Sequence, residues 1–90
     1  MQPDQRSQLQ DEVRIGQRAS AAYNEFIEPF IKRMNEELYR TFNTISPMDK
    51  DALSDIRRLS MVVDQFDISI RNYITTGNFA SIQLKEKPNE

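Results

Sequence analysis

The sequence contains no cysteine, no histidine and no tryptophan, and only two glycines and four prolines in 90 residues. Without cysteine there can be neither a disulfide nor a thiolate metal site, a composition that fits a reducing compartment. Without histidine, Ser/His/Asp and Cys/His catalytic arrangements and imidazole metal sites are excluded. Gly16 and Gly77 stand alone in the sequence, so there is no phosphate-cradling loop. Asp64 and Asp67 lie three residues apart, but no further acidic residue is placed to complete a metal shell. Arg71, four residues after Asp67, makes a surface ion pair the better reading of that carboxylate. The expectation is a chain with no catalytic residues, no cofactor and no metal.

An excess of one charge is missing too. Twelve basic residues stand against 14 acidic ones, net −2, with both signs interspersed. Non-specific nucleic-acid binding needs a basic face, and a DNA mimic needs a large acidic surplus; neither is present. No stretch approaches the ~18 apolar residues of a membrane span. The first residues, Met-Gln-Pro-Asp-Gln-Arg, lack the apolar core of a signal peptide, so a cytosolic location is expected. A chain of this length buries only roughly 60–65% of the surface its unfolded form exposes, so oligomerisation or docking is an expected source of extra stability.

What the sequence does have is helical periodicity. Apolar residues recur at Met48, Ala52, Ile56, Leu59, Val63, Phe66, Ile70 and Tyr73, at alternating spacings of three and four. That period is close to the 3.5 of a coiled-coil seam. Ser46, Pro47 and Asp49 read as a helix start, with Ser46 as cap, Pro47 at the first position and Asp49 completing a variant capping box. Gly77 reads as a left-handed C-cap. The second helix is thus predicted over residues ~47–76, followed by a short C-terminal segment of unassigned conformation.

A second stripe precedes it: Leu9, Val13, Gly16, Tyr23, Ile27, Phe30, Met34, Leu38, Phe42 and Ile45. Residues 1–8 are polar and expected to fray, and residues 85–90 form a polar tail. Within the stripe, Pro29 removes the hydrogen bond to the carbonyl of Glu25 and presses its ring on that turn. A kink near 26–29, within a first arm spanning ~9–45, is predicted. Glu28–Lys32 and Glu36–Arg40 support the arm as i,i+4 pairs. Only a corner separates the arms, so the fold class is all-α, an antiparallel helical hairpin in a single domain over residues 9–84. Phe30, Phe42, Phe66, Tyr23 and Tyr73 are its expected bulky core.

Apolar residues also lie off the two stripes. Ile15, Ala19, Ala22 and Phe26 form a second ridge on the first arm, and Met61 and Ile68 a second line on the other. These six are the candidate protein-binding residues, with Phe79, Ile82 and Leu84 as candidates to cover the ridge from within the chain. Arg57 and Arg58 are the only basic pair on the second helix and a slight nucleic-acid candidate; Arg14 and Arg18, on one side of the first arm, add to it but fall short of a basic stripe.

The segments Tyr23-Asn24-Glu25-Phe26-Ile27, Met48-Asp49-Lys50-Asp51-Ala52-Leu53 and Thr76-Gly77-Asn78-Phe79-Ala80 carry a resemblance. Across residues 16–84 the chain resembles a group of short, uncharacterised helical proteins encoded by tailed bacteriophages. Those have two helices of about this length, an acidic start to the second and a Thr-Gly-x-x-Ala close. They often carry tryptophan in both helices, which this chain does not. The resemblance implies no catalytic residues. It implies a phage context, in the host cytoplasm or the virion, with work in virion assembly, in DNA packaging or in control of host defence. The partner would be a protein: a second copy, giving a homo-oligomer, or another phage or host protein.

Overall fold

Pro3 opens the first helix. Its fixed φ suits the first helical position, and the backbone N–H of Gln2 donates to Gln5 Oε1 at 3.2 Å, reaching forward into the first turn. Helix α1 therefore begins at Pro3 rather than near Leu9, and it runs to Ala22. The computed structural model describes residues 2–86. The expected polar tail reaches beyond them, with residues 87–90 outside the described part; Lys85 and Glu86 belong to the last helix.

The first arm does not break at Pro29. After α1 the chain makes a single π-helical turn, Tyr23–Ile27, and continues as α2 from Glu28 to Thr44. The N–H of Glu28 donates to the carbonyl of Tyr23, five residues back. Proline is the cause. Its ring would collide with the carbonyl four residues before it, and widening the turn moves that carbonyl away while keeping the helix continuous. A π turn inserts one residue into the helical count. The buried side of the arm runs through Leu9, Val13, Gly16 and Tyr23, then takes Ile27, Ile31, Met34 and Leu38. Ile31 thereby replaces the expected Phe30, which is 45% exposed.

The corner is a β-turn. Asp49 N–H donates to the Ser46 carbonyl at 2.9 Å, and the Ser46 hydroxyl accepts from Met48 N–H at 3.2 Å. Pro47 occupies the second position of that turn, which its φ favours, and not the first position of a helix. The cap of the next helix is Asp49: Oδ1 accepts from the N–H of Ala52 at 3.1 Å, and its carbonyl accepts from Leu53. Helix α3 then extends from Lys50 to Glu86. The short segment after Gly77 is part of it. Gly77 has no positive φ and caps nothing.

Helices α1 and α2 lie antiparallel to α3 in one elongated hairpin, 64 × 23 × 16 Å, with a radius of gyration of 19.2 Å. A compact chain of this length would have a radius near 12 Å. Among the described residues there is no strand. The seam on α3 follows a strict three–four alternation through Ile56, Ser60, Val63, Asp67, Ile70, Ile74 and Gly77. Of the stripe predicted for this helix, Ala52, Ile56, Val63 and Ile70 are half-buried. Met48, Leu59, Phe66 and Tyr73 are exposed. Of the expected bulky core, only Tyr23 is buried; Phe30, Phe42, Phe66 and Tyr73 are not. Two helices share one line of contact, and a line that takes Ser60 and Asp67 has turned away from the neighbouring aromatic row.

Candidate interaction surface

At one end of the hairpin the two backbones touch. A β-carbon added to Gly16 would lie 2.8 Å from the Cα of Gly77 and 3.0 Å from the carbonyl oxygen of Tyr73. The reciprocal addition at Gly77 would lie 2.8 Å from Gly16 Cα and 3.0 Å from the Glu12 carbonyl. Only residues without a side chain allow this approach, and the neighbouring positions are small as well, with Ala80 fully buried and Ala19 half-buried. Close approach leaves no space between the helices for large side chains. The aromatic residues are displaced to the flanks.

Two turns further on, the seam carries a polar clamp. The Tyr23 hydroxyl donates to Asp67 Oδ1 at 2.7 Å and accepts from Arg71 Nε and Nη2 at 3.0 and 2.9 Å. Arg71 Nε also pairs with Asp67 Oδ2 at 3.2 Å, and its guanidinium lies 5.5 Å from the centre of the tyrosine ring. The hydrogen bond to Asp67, together with burial, raises the Tyr23 phenol above its ordinary value. The bond to Tyr23, with Asp67 close by, likewise raises Arg71. The three groups satisfy one another, with Asp67 largely covered and Arg71 open to solvent. The clamp fixes the register of the two arms. The Asp67–Arg71 pair was legible in the sequence; its partner 44 residues away was not.

Elsewhere many apolar side chains lie on the surface. Among the described residues, Tyr23, Ile31 and Ala80 are the buried hydrophobic ones, whereas fourteen large apolar side chains are exposed. Of the six candidate binding residues, Ile15, Phe26, Met61 and Ile68 are exposed, and Ala19 and Ala22 are half-buried. The ridge is not covered from within. Phe79 is 64% and Ile82 50% exposed, and only Leu84 of that trio is half-buried. Once Gly77 continues the helix, residues 79–84 run on beside α1 and cannot fold across it.

The six candidates do not form one site. Ile15 lines an open groove of about 450 Å³ with Ser69, Tyr73 and Thr76. Met61 lines a different groove of about 630 Å³, between α2 and α3, with Leu38, Tyr39, Phe42 and Arg57. On α3, Ser69, Tyr73 and Thr76 project to one side of the seam, and Arg57 and Met61 to the other. The ridge and the line therefore belong to opposite faces. Both grooves are shallow and open, unlike the enclosed pockets that hold small molecules.

The charged side chains form local pairs along the helices: Arg14–Asp11, Lys32–Glu28, Arg40–Glu36 and Arg58–Asp55, at 3.4 to 3.9 Å. Such exposed pairs contribute little to stability. Arg58 is thus paired on its own helix, while Arg57 edges the apolar groove; the two do not build a basic stripe. Among the described residues no group of His, Asp or Glu is placed to hold a metal ion. No described helix is long and apolar enough to cross a membrane. The chain matches no known protein family, no curated protein and no solved structure.

Proposed function

We propose that this chain is a non-enzymatic protein that works by helix-mediated association, as a homo-oligomer, in the structural or assembly role that its phage-type sequence pattern suggests. A single observation supports this reading most strongly: the hairpin buries almost no large side chain by itself. Its accessible surface is 7170 Å². A compact protein of 10.6 kDa exposes about 5,500 Å². The surplus, about 1,700 Å², exceeds the ~800 Å² that one partner of a standard protein–protein interface gives up. The satisfied Tyr23–Asp67–Arg71 clamp agrees with a structural use of its polar groups. Light scattering on the purified protein tests the reading. A stable oligomer supports it, and a well-folded monomer at every concentration overturns it.

A second reading has its own observation. The groove of Leu38, Tyr39, Phe42, Leu53, Ile56 and Met61 beside Arg57 suits an apolar, acidic-edged helix from a different protein. It would make the chain an inhibitor or regulator docking on a host protein, as an anti-defence factor does. A folded monomer that captures one host enzyme, and loses it on Met61→Glu, favours this reading. Nucleic-acid binding through Arg57 and Arg58 has the least support, given the pairing of Arg58 with Asp55. Either principal reading places the protein in the host cytoplasm or in the virion.

A further inference from the structure

The face that carries the ridge has a composition unlike the rest of the surface. From the first arm it takes Ile15, Ala19, Ala22 and Phe26, with Phe30 following on the same edge. From α3 it takes two adjacent rows at seven-residue spacing: Leu59, Phe66 and Tyr73, and Val62, Ser69 and Thr76. Phe26, Phe30, Leu59, Val62, Phe66 and Tyr73 are all exposed. Glu12, beside Ile15 at one end, and Asp55, seven residues before Val62 at the other, are the ionisable side chains nearest these rows. Across the seam one of the corresponding rows of α3 carries Arg57, Asp64 and Arg71, and the other Met61 and Ile68.

We infer that this face is covered by the same face of a second copy, the two hairpins packing end for end as an antiparallel four-helix bundle. This rests on the self-association proposed above and adds the surface and the geometry. Three observations select the occupant. The first is area: the surplus of about 1,700 Å² per chain exceeds the ~800 Å² that each partner of a standard interface gives up. The second is charge. A two-fold interface sets a patch against itself, so any charge near the axis meets its own kind, and the middle of this face, Ala19 to Phe26 and Val62 to Tyr73, carries no charge in these rows.

The third is shape. Small residues, Ala19 and Ala22, occupy one half of the first arm's edge, and Phe26 and Phe30 the other. Turning the second copy end for end sets the bulky half of one against the small half of the other, which fills space at both ends. Same-end packing would set the first arm against α3 of the partner instead, with Phe26 and Phe30 crowded at the level of Phe66 and Val62. In the end-for-end arrangement Ser69 falls near the two-fold axis. It stands at the level of residues 22–26 on the first arm, as fixed by the pairing of Gly16 with Gly77 and of Tyr23 with Asp67.

The natural absence of cysteine gives a clean test. The full chain carrying Ser69→Cys is treated with a short bismaleimide crosslinker, beside Met61→Cys as the control on the opposite face. The expected result is efficient covalent dimer for Ser69→Cys and little for Met61→Cys. In sedimentation, Phe66→Glu is expected to shift the mass from dimer to monomer. A dimeric wild type in which Met61→Cys crosslinks, or in which Ser69→Cys does not, overturns the inference while leaving self-association intact. A wild type that is monomeric throughout overturns the self-association on which the inference rests. The crosslinking arm stands even if Phe66→Glu fails to fold.

Discussion

Gly16 and Gly77 bring the backbones of α1 and α3 into direct contact, the missing β-carbon of each pointing at the other's Cα and into a carbonyl of the opposite helix. Alanine is the better helix former by about 1 kcal/mol, so on propensity alone Gly→Ala would stabilise either helix. Here the obstruction is backbone, which no side-chain rotation relieves. Gly16→Ala and Gly77→Ala are each expected to destabilise the hairpin, by about 1–3 kcal/mol. Chemical denaturation measures this. The double variant is expected to lose less than the sum, since helices already parted by one methyl accept the second more easily. A stabilised single variant would mean that the helices do not meet at this crossing.

The π turn makes a prediction about adjacent residues. Ile31 lies in the seam and Phe30 on the open flank. In unfolding followed at one fixed protein concentration, Ile31→Ala is expected to cost about 2–5 kcal/mol, and Phe30→Ala about 1–2 kcal/mol despite the larger side chain. The reverse order would indicate a regular α-helix through residues 23–27, with Phe30 turned inward.

Tyr23 should reveal itself in alkali. Its folded-state value lies above the unfolded one because its proton is held in the bond to Asp67. The resulting stability is fully present below the unfolded value of about 10 and is lost as pH rises through the higher folded value. Absorbance titration should show a tyrosine ionising above the ordinary range, and Tyr23→Phe should remove that component. The same substitution is expected to cost about 1–2 kcal/mol near neutral pH, because the bonds to charged partners go with the hydroxyl. An unchanged titration curve would place the Tyr23 hydroxyl outside the clamp.

Much of the fold was legible because it is written in local pattern. The three–four spacing from Ala52 to Ile70 specifies a long helix, the corner beside Pro47 specifies a fold-back, and Pro29 specifies a disturbed turn one step before itself. What escaped is what depends on the neighbour. Gly77 reads as a terminator because glycine tolerates positive φ, yet it is required here by the proximity of Gly16, 61 positions away in sequence. The stripe through Leu59, Phe66 and Tyr73 reads as core because it is the most apolar row. The actual seam lies one row over, where Asp67 meets Tyr23. An acidic residue in an otherwise regular heptad row was the available sign of a buried polar partner. The same rotation leaves the aromatic row uncovered, so Phe30, Leu59, Phe66 and Tyr73, expected in the core, belong instead to the candidate interface.

The most direct measurement is the midpoint of chemical unfolding as a function of protein concentration. If the hairpin depends on a second copy to cover its apolar face, folding and association are coupled, and the midpoint rises as the protein is concentrated. A midpoint that stays fixed from dilute to concentrated solution, with the helical signal fully retained, would show that the two-helix unit is stable alone and would contradict this account.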